Sequence, residues 1–415
     1  MQVKALDKPF RPMPLRLING AGRLLNSIGL EPVKLQRDAL MAKAARKAGY
    51  DDFGDNGFIE GLDRLLDSIE QESQLTLLGR FIAQSTITDN LYNRLKVIEW
   101  RKQHPEVAEQ TIRKPLMILG LPRTGTTILH ALLNVDPANR SPLFWEVQFP
   151  VPPATPASWT TDPRIAEDQK SLENLYRICP GFEAVHPMGA TMPQECVAIF
   201  AMDMMAESFH CTFNVPSYIN WLDEQPLTHT YAFHKQFLQH LQSGGVTGER
   251  WLLKSPCHLH LIPQLLDTYP DINIIHTHRN PVDVCVSISS LMAMLRGVGS
   301  DAIDLKAIGQ QQLDWWEKLL QRSVEQRKAL ANTHSQQFFD LKMIDTVADP
   351  LGAVERLYAH FGYELKSTVK ADMEKYMREH SRDKHGSHTY EAADFGIDKA
   401  RDSARFHDYC DYFGV

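Results

Sequence analysis

Hydrophobic positions in the first quarter of the chain recur with the period of a helix. Four apolar residues follow this spacing: Leu62, Leu65, Leu66 and Ile69. Glu31-Pro32 and the later Gly49 predict an earlier helix, because proline favours the first turn and glycine the position just past the last. A polar-rich helix is predicted over residues 89–103. Residues 1–112 are therefore predicted to form an N-terminal helical region.

The pattern changes after residue 112, where short apolar runs alternate with helical segments. The predicted strands are Pro115–Gly120, Trp251–Lys254, Ile272–Thr277 and Gln337–Asp340. This alternation indicates βα units and an α/β fold with a central, doubly wound parallel sheet. Ligands of such sheets bind beyond the carboxyl ends of the strands. Candidate chemistry is therefore expected at those ends.

Composition narrows the class of protein. The chain has 415 residues and a formal net charge of −7, which argues against a general nucleic-acid binder. Its N-terminus lacks the apolar core of a signal peptide, and no stretch approaches the roughly 20 apolar residues of a membrane span. The six cysteines are scattered without a CxxC pair. These features predict a cytoplasmic protein with no membrane span and no nucleic-acid partner.

The first predicted strand leads into GLPRTGTT and then a helix, as in a phosphate-binding loop. Gly120 and Gly125 have P-loop spacing, but Thr126 occupies the position of the usual lysine, which argues against ordinary ATP or GTP chemistry. Backbone N–H groups at the helix start suit an anion. Thr126 and Thr127 add hydroxyls, and Arg123 adds a planar cation. The alternative is a plain strand–turn–helix junction.

A second candidate anion site lies in the segment HTHRNPVDVCVSISSL. Arg279 follows the third predicted strand, and Asn280-Pro281 begins a helix. Ser287 lies about two turns along that helix, so both side chains could hold a second phosphate. The alternative is a capped helix with a solvated arginine.

Together, GLPRTGTT and RNPVDVCVSISSL resemble the family of sulfotransferases that use 3′-phosphoadenosine-5′-phosphosulfate (PAPS), in its bacterial branch with a PRTGTT loop. Segments such as EAVHPMGATMPQECV and WLLKSPCHLHLI extend the resemblance over roughly Lys114 to Val415. The resemblance implies a P-loop-like three-layer fold over residues 113–415, with an acceptor-side helical insertion at 141–250. It also implies transfer of a sulfuryl group from PAPS to an acceptor hydroxyl.

The resemblance assigns roles to individual residues. The 5′-phosphosulfate ligands would be Arg123, Thr124, Gly125, Thr126 and Thr127, and the 3′-phosphate ligands would be Arg279 and Ser287. Two family features are missing: no motif matches the catalytic histidine of many small-molecule sulfotransferases, and no glycine-rich closing segment is evident. The segment DKHGSHTY is a candidate replacement for the latter. Its His385 and His388 either contact cofactor or acceptor or belong to a surface loop.

Three residues are candidates for the chemistry. Arg123 would stabilise the leaving phosphate, and Lys254 would contact the bridging oxygen or the sulfuryl group. Glu146 is the candidate general base, with its pKa raised by aromatic neighbours. The alternatives are a surface lysine at a strand end for Lys254 and, for Glu146, a structural salt bridge to Arg140 or Arg164.

No metal site is predicted. His258 and His260 alternate along the chain, as do His276 and His278, but zinc needs further ligands at matching spacing. Protein cations would replace Mg²⁺, because PAPS carries fewer charges near the transferred group than ATP does.

The acceptor would be a small molecule, a lipid or a carbohydrate with a free hydroxyl. Aromatic residues concentrated in 141–250 are candidates either for an apolar cleft or for simple packing: Trp145, Trp159, Phe209, Phe213, Tyr218 and Trp221. The N-terminal helices are candidates for a lid or a homodimer contact. Two other functions remain open from the residues, a P-loop kinase-like phosphotransferase that uses ATP and Mg²⁺, and a non-catalytic nucleotide-binding protein of the same fold.

Overall fold

A parallel sheet forms the centre of the protein. The structure is a computed structural model that describes residues 6, 11–380 and 391–415. The strands are β1 Leu116–Gly120, β2 Asn139–Arg140, β3 Arg250–Lys254, β4 Asn273–His278 and β5 Phe338–Lys342. They lie in the order β2-β3-β1-β4-β5, and every pairing is parallel. The predicted α/β class and the four predicted strands are confirmed. The two-residue β2 was not predicted.

Helices cover both faces of the sheet. Those before the sheet are α1 Met13–Ser27, α2 Arg37–Ala48, α3 Phe58–Glu72 and α4 Leu77–Gln103. Those between β1 and β3 are α5 Thr126–Leu133, α6 Phe144–Gln148, α7 Pro163–Ile178, α8 Phe182–Val185, α9 Cys196–Met202, α10 Ser208–Thr212, α11 Pro216–Leu222 and α12 Thr228–Ser243. Those after β3 are α13 Ile262–Thr268, α14 Pro281–Gly299, α15 Leu305–Leu330, α16 Met343–Ala348, α17 Pro350–Phe361, α18 Ser367–Glu379, α19 Lys399–Asp402 and α20 His407–Phe413.

Two helix starts differ from the predictions. The helix predicted from Glu31-Pro32 begins only at Arg37, because the preceding segment is extended and the carbonyl of Val33 accepts a hydrogen bond from Arg80. Its predicted end is right, since Gly49 has a left-handed φ of 78°. The helix predicted from residue 89 begins at Leu77, where the hydroxyl of Thr76 caps it.

The residues of β1 alternate between two hydrophobic cores. Met117 and Leu119 belong to the larger core, which α4, α14 and α15 help to form. Leu116 and Ile118 belong to the smaller core, beneath α5, α17 and α18. Side chains of a strand point to opposite faces in turn, so β1 is buried on both sides. This is the predicted three-layer arrangement.

The N-terminal helices share the larger core with the rest of the chain. Leu62 of α3 and Leu91 of α4 belong to the same buried cluster as Leu253 of β3 and Ile274 of β4. The division of the chain at residue 112 stays a prediction, and the hydrophobic core runs across that boundary.

A buried ion pair joins the N-terminal helices to the segment between β1 and β3. Nη1 of Arg94 in α4 lies 2.6 Å from Oδ1 of Asp203, and both side chains are almost fully buried. The guanidinium lies between the rings of Phe58 and Phe233, 4.6 Å from each centroid. Removing one partner of such a pair leaves an uncompensated buried charge, so the pair strongly constrains how α4 packs.

One helix, α14, is long and apolar enough to cross a membrane by length and composition alone, with a mean hydropathy of 1.4. Within the protein, 78% of that stretch is buried. This is the environment of a core helix in a three-layer fold.

Asp168 of α7 gives the fold a testable dependence on pH. The carboxyl group is buried, and one of its oxygens has no hydrogen-bond partner. Burial raises its pKa to about 6. The protonated Asp168 carboxyl therefore stabilises the fold fully below the ordinary carboxyl pKa. This stabilisation is lost as the pH rises through about 6. We expect Asp168→Asn to raise the melting temperature at pH 8 by about 1–3 °C and to change it less at pH 5.

The measurement is thermal unfolding followed by circular dichroism at both pH values. Asp67→Asn, on the exposed face of α3, is the matched control and should change neither melting temperature. An equal effect of Asp168→Asn at both pH values would contradict the assignment.

Candidate functional site

The loop after β1 is held against β4 by close packing. Gly120 has a φ of 144°, and a Cβ added there would clash with the hydroxyl and carbonyl oxygens of Thr277. Oγ1 of Thr124 lies 2.7 Å from the carbonyl oxygen of Leu121 and 2.8 Å from Oγ1 of Thr277. Gly125, with a φ of 85°, turns the chain into α5. The Thr124 hydroxyl thus bonds to Leu121 in the loop and to Thr277 in β4. The backbone N–H of Thr124 is the group that an anion would contact.

Arg123 brings the two predicted anion sites together. Its backbone is left-handed, with a φ of 65°. Its Nε donates to Oγ of Ser287 at 3.2 Å, and its Nη1 donates to the carbonyl of Val185 at 2.6 Å. Nη1 of Arg279 donates to the Arg123 carbonyl at 2.9 Å. The predicted ligands of the 5′-phosphosulfate and of the 3′-phosphate are therefore direct neighbours.

Lys254 lies at the carboxyl end of β3, which pairs with β1, the strand before the loop. Its ammonium forms an ion pair with Oε1 of Glu195, the residue that precedes α9. The Lys254 side chain is only 5% exposed, so the alternative of a surface lysine is wrong. Sequence analysis did not single out Glu195. The segment that contains it, MPQECV, carried the family resemblance and was the available signal.

Glu146 belongs to a different ion pair. Its Oε1 accepts from Nη2 of Arg140 at 2.5 Å, and its Oε2 accepts from the N–H of Leu143 at 3.1 Å. The residue is 1% exposed. Burial raises the pKa of Glu146, and the Arg140 guanidinium opposes that rise. This geometry matches the structural salt bridge considered as the alternative, with Arg140 as the partner. A catalytic role for Glu146 stays a prediction.

His186 is a second residue that sequence analysis did not single out. Burial lowers its pKa to about 4, Glu195 opposes the shift, and Lys254 and Arg123 lower the pKa further. A neutral imidazole thus lies within electrostatic reach of all three charged residues. The histidine follows Val185, whose carbonyl accepts from Arg123.

One group of side chains in the described part of the chain has the spacing of a metal site: His276, His278 and Asp340. A cation already occupies it, because Arg327 donates to both oxygens of Asp340 at 2.8 and 2.9 Å and its Nη1 lies 2.9 Å from Nδ1 of His276. Nε2 of His278 lies 2.9 Å from Oδ1 of Asp340. This network packs against α20 through Tyr409 and Phe413, and its role is structural. The two histidines of the other pair face different partners, since Nδ1 of His258 contacts the hydroxyl of Tyr231 at 2.8 Å and Nδ1 of His260 lies 3.9 Å from Oε1 of Glu207.

Most of the aromatic residues proposed for the acceptor cleft are packing residues. Four are fully buried within hydrophobic cores: Trp145, Phe209, Phe213 and Tyr218. Trp159 and Trp221 are half-buried and remain candidates for the cleft wall. The predicted closing segment, with His385 and His388, lies outside the described residues.

Comparison with known proteins decides the family. The sequence profile described as "Sulfotransferase family" matches residues 115–367, which is more than half of the chain and includes all the strands of the sheet. The chain belongs to the sulfotransferase family. The enzyme therefore transfers a sulfuryl group from PAPS to an acceptor, as the resemblance implied.

Several mycobacterial proteins are similar to this sulfotransferase. The omega-hydroxy-beta-dihydromenaquinone-9 sulfotransferase Stf3 of Mycobacterium bovis is 26% identical over 66% of this chain and 70% of its own length. The crystal structure of sulfotransferase STF1 from Mycobacterium tuberculosis is 31% identical, with a TM-score of 0.80 over 91% of this chain and 99% of that one. Sulfotransferase STF9 from Mycobacterium avium is 26% identical, with a TM-score of 0.83 over 93% of this chain and 98% of that one.

The packing at Gly120 predicts the effect of adding one methyl group. We expect Gly120→Ala to lower the free energy of unfolding by about 1–3 kcal/mol, because the new Cβ meets Thr277 and φ lies where side chains are disfavoured. The loop should also shift and weaken binding of 3′,5′-adenosine bisphosphate. Denaturant unfolding and calorimetry measure the two effects.

Gly20→Ala is the matched control, because Gly20 lies in α1 with no atom within 4 Å of an added Cβ. It should leave bisphosphate binding as in the wild type and raise the free energy of unfolding by at most about 1 kcal/mol, the gain of alanine over glycine inside a helix. A Gly120→Ala variant as stable as the Gly20→Ala variant would show that the contact with Thr277 does not constrain the loop.

Proposed function

We propose that PAPS binds across the carboxyl ends of β1, β3 and β4. The loop Arg123–Thr127 would hold the 5′-phosphosulfate, while Arg279 and Ser287 would hold the 3′-phosphate. The observation that supports this proposal is the set of contacts that Arg123 makes with Ser287 and Arg279. The N–H groups at the start of α5 also suit an anion, since they have no partners within the helix.

Local cations would stabilise the reaction. In-line transfer moves negative charge onto the oxygen that leaves with the nucleotide, and fixed donors aimed at that oxygen lower the barrier. Lys254 would contact the bridging oxygen or a sulfuryl oxygen, with Arg123 stabilising the leaving phosphate. These cations would take the part that Mg²⁺ plays with ATP, so the proposal includes no metal.

The acceptor is proposed to be a hydroxylated apolar molecule, such as a lipid. The enzyme itself is proposed to be cytoplasmic. Support comes from Stf3, whose name specifies a hydroxylated menaquinone as its substrate. A carbohydrate acceptor is the alternative, because sugars also stack on half-buried aromatics such as Trp159 and Trp221. A homodimer through the N-terminal helices stays a prediction.

Binding of the desulfonated donor tests the proposal. We expect calorimetry to show tight, metal-independent binding of 3′,5′-adenosine bisphosphate and much weaker binding of 5′-AMP. Arg279→Ala should weaken binding of the bisphosphate by about 10- to 100-fold, because the phosphate loses charge-assisted hydrogen bonds. The same substitution should leave the already weak binding of 5′-AMP nearly unchanged.

Arg356→Ala is the control, because Arg356 is an exposed arginine of α17. Its variant should bind both nucleotides as the wild type does. Equal affinity for the bisphosphate and 5′-AMP, or a preference for ATP with Mg²⁺, would contradict the proposed donor site and favour the kinase-like alternative. Bisphosphate binding without turnover of PAPS would favour the non-catalytic alternative.

A further inference from the structure

Two carboxylates near this edge of the sheet are candidates to accept the proton of the acceptor hydroxyl, and Glu146 is buried whereas Glu195 is half-buried. Both oxygens of Glu146 are taken by Arg140 and Leu143, and the side chain is 1% exposed. The Glu195 side chain is 18% exposed, and its carboxylate contacts Lys254. A general base must come within hydrogen-bond reach of the proton that it removes. Only Glu195 of the two combines that access with contact to a predicted catalytic cation.

The backbone fixes Glu195 opposite the strand end. Its N–H donates to the Gln194 side chain at 2.7 Å, and the N–H of Gln194 donates to the carbonyl of Pro142 at 2.8 Å. Pro193 also forms a bridge with Leu143. Lys254 is fixed from the other side, because β3 lies between β1 and β2. The ion pair therefore joins two rigid parts of the protein.

Contact between Glu195 and Lys254 has a geometric consequence for catalysis. If Lys254 holds a sulfuryl oxygen, a hydroxyl hydrogen-bonded to Glu195 lies next to the sulfur atom. Reacting atoms held about 3–3.5 Å apart are in a near-attack arrangement. The ammonium has three N–H donors, so it can keep Glu195 while it binds the sulfuryl group.

We propose that Glu195 is the general base of the transferase. The acceptor O–H bond breaks and its proton passes to a carboxylate oxygen of Glu195, while the acceptor oxygen forms a bond to sulfur. The bond between sulfur and the bridging phosphate oxygen breaks, and its electron pair stays on that oxygen. The products are the sulfate ester and 3′,5′-adenosine bisphosphate, and Glu195 then releases the proton to solvent. This assignment rests on the proposed donor site.

Several ionisable groups interact with Glu195 or with its neighbour His186 and must be considered in any pH experiment. They come from β3 and the segment after it, from the end of α8, from the region of α9 and α10, and from the phosphate loop: Lys254, Cys257, His186, Cys196, Glu207, Cys211 and Arg123. Burial raises the pKa of Glu207 well above its usual range, and nearby carboxylates raise it further. Burial likewise raises the pKa of the three thiols. His186, neutral at physiological pH, is the competing base.

The test compares acceptors that differ in acidity. PAPS turnover is followed by release of 3′,5′-adenosine bisphosphate, with 1-dodecanol, with 4-nitrophenol and with water alone as acceptor. Glu195→Gln keeps the shape and can still accept a hydrogen bond from Lys254, but it cannot take a proton. We expect kcat with 1-dodecanol and with water to fall by about 100-fold or more. With 4-nitrophenol, which ionises near neutral pH and needs no base, the loss should be much smaller.

The pH profile gives a readout that a purely structural role would not change. The kcat of the wild-type enzyme should decrease as the pH falls and the base becomes protonated. This acidic limb should disappear in Glu195→Gln and return, at lower kcat, in Glu195→Asp. Bisphosphate binding should be retained in both variants, so that loss of the base is distinguished from loss of the donor site.

The control and the competing variants decide between assignments. Glu355→Gln removes an exposed carboxylate paired with Lys370 and should behave as the wild type does. If Glu195→Gln keeps the acidic limb and its full rate with water and 1-dodecanol, the assignment is overturned. The base is then His186 or Glu146, whichever of His186→Asn and Glu146→Gln removes the acidic limb while retaining bisphosphate binding.

Discussion

The arrangement of the site depends on Arg123. Its carbonyl accepts a hydrogen bond from Arg279, and its guanidinium donates to Ser287 and to the carbonyl of Val185. One loop residue thus connects the end of β1, the first turns of α14 and the last residue of α8. Its backbone is left-handed, and its carbonyl and its side chain contact different partners. If that conformation were lost, Arg123 would no longer connect the two predicted anion sites.

A second constraint comes from the parallel sheet. Because all the strands run in one direction, the residues that follow β1, β3 and β4 lie along one edge. The predicted phosphate loop, Lys254 and Arg279 therefore lie along the same edge of the sheet, although the chain separates them widely. The long segment between β1 and β3 returns to the same edge at Glu195 and forms the ion pair with Lys254. The cations thus lie at the strand ends, and the carboxylate that faces them comes from this segment.

Electrostatics at the site differs from that of the whole protein. The chain carries a net charge of −7, yet an anionic donor would meet Arg123, Arg279 and Lys254 at one edge of the sheet. Glu195 partly balances this charge, and burial keeps His186 neutral among the cations. Local placement of a few charged groups at this edge, and not the overall field, would govern binding of an anion here.

The sequence by itself determined the α/β class, the main strands and the family, and it predicted the two segments that meet at Arg123. Those features are encoded locally, in short apolar runs and in motifs of about eight residues that leave a recognisable spacing. Only the tertiary structure decided which carboxylate faces Lys254, the predicted catalytic lysine. Glu146 is withdrawn into a pair with Arg140, whereas Glu195 meets Lys254 across 59 residues of chain. No periodicity or spacing encodes a contact of that kind, because it depends on how a long insertion folds back onto the sheet.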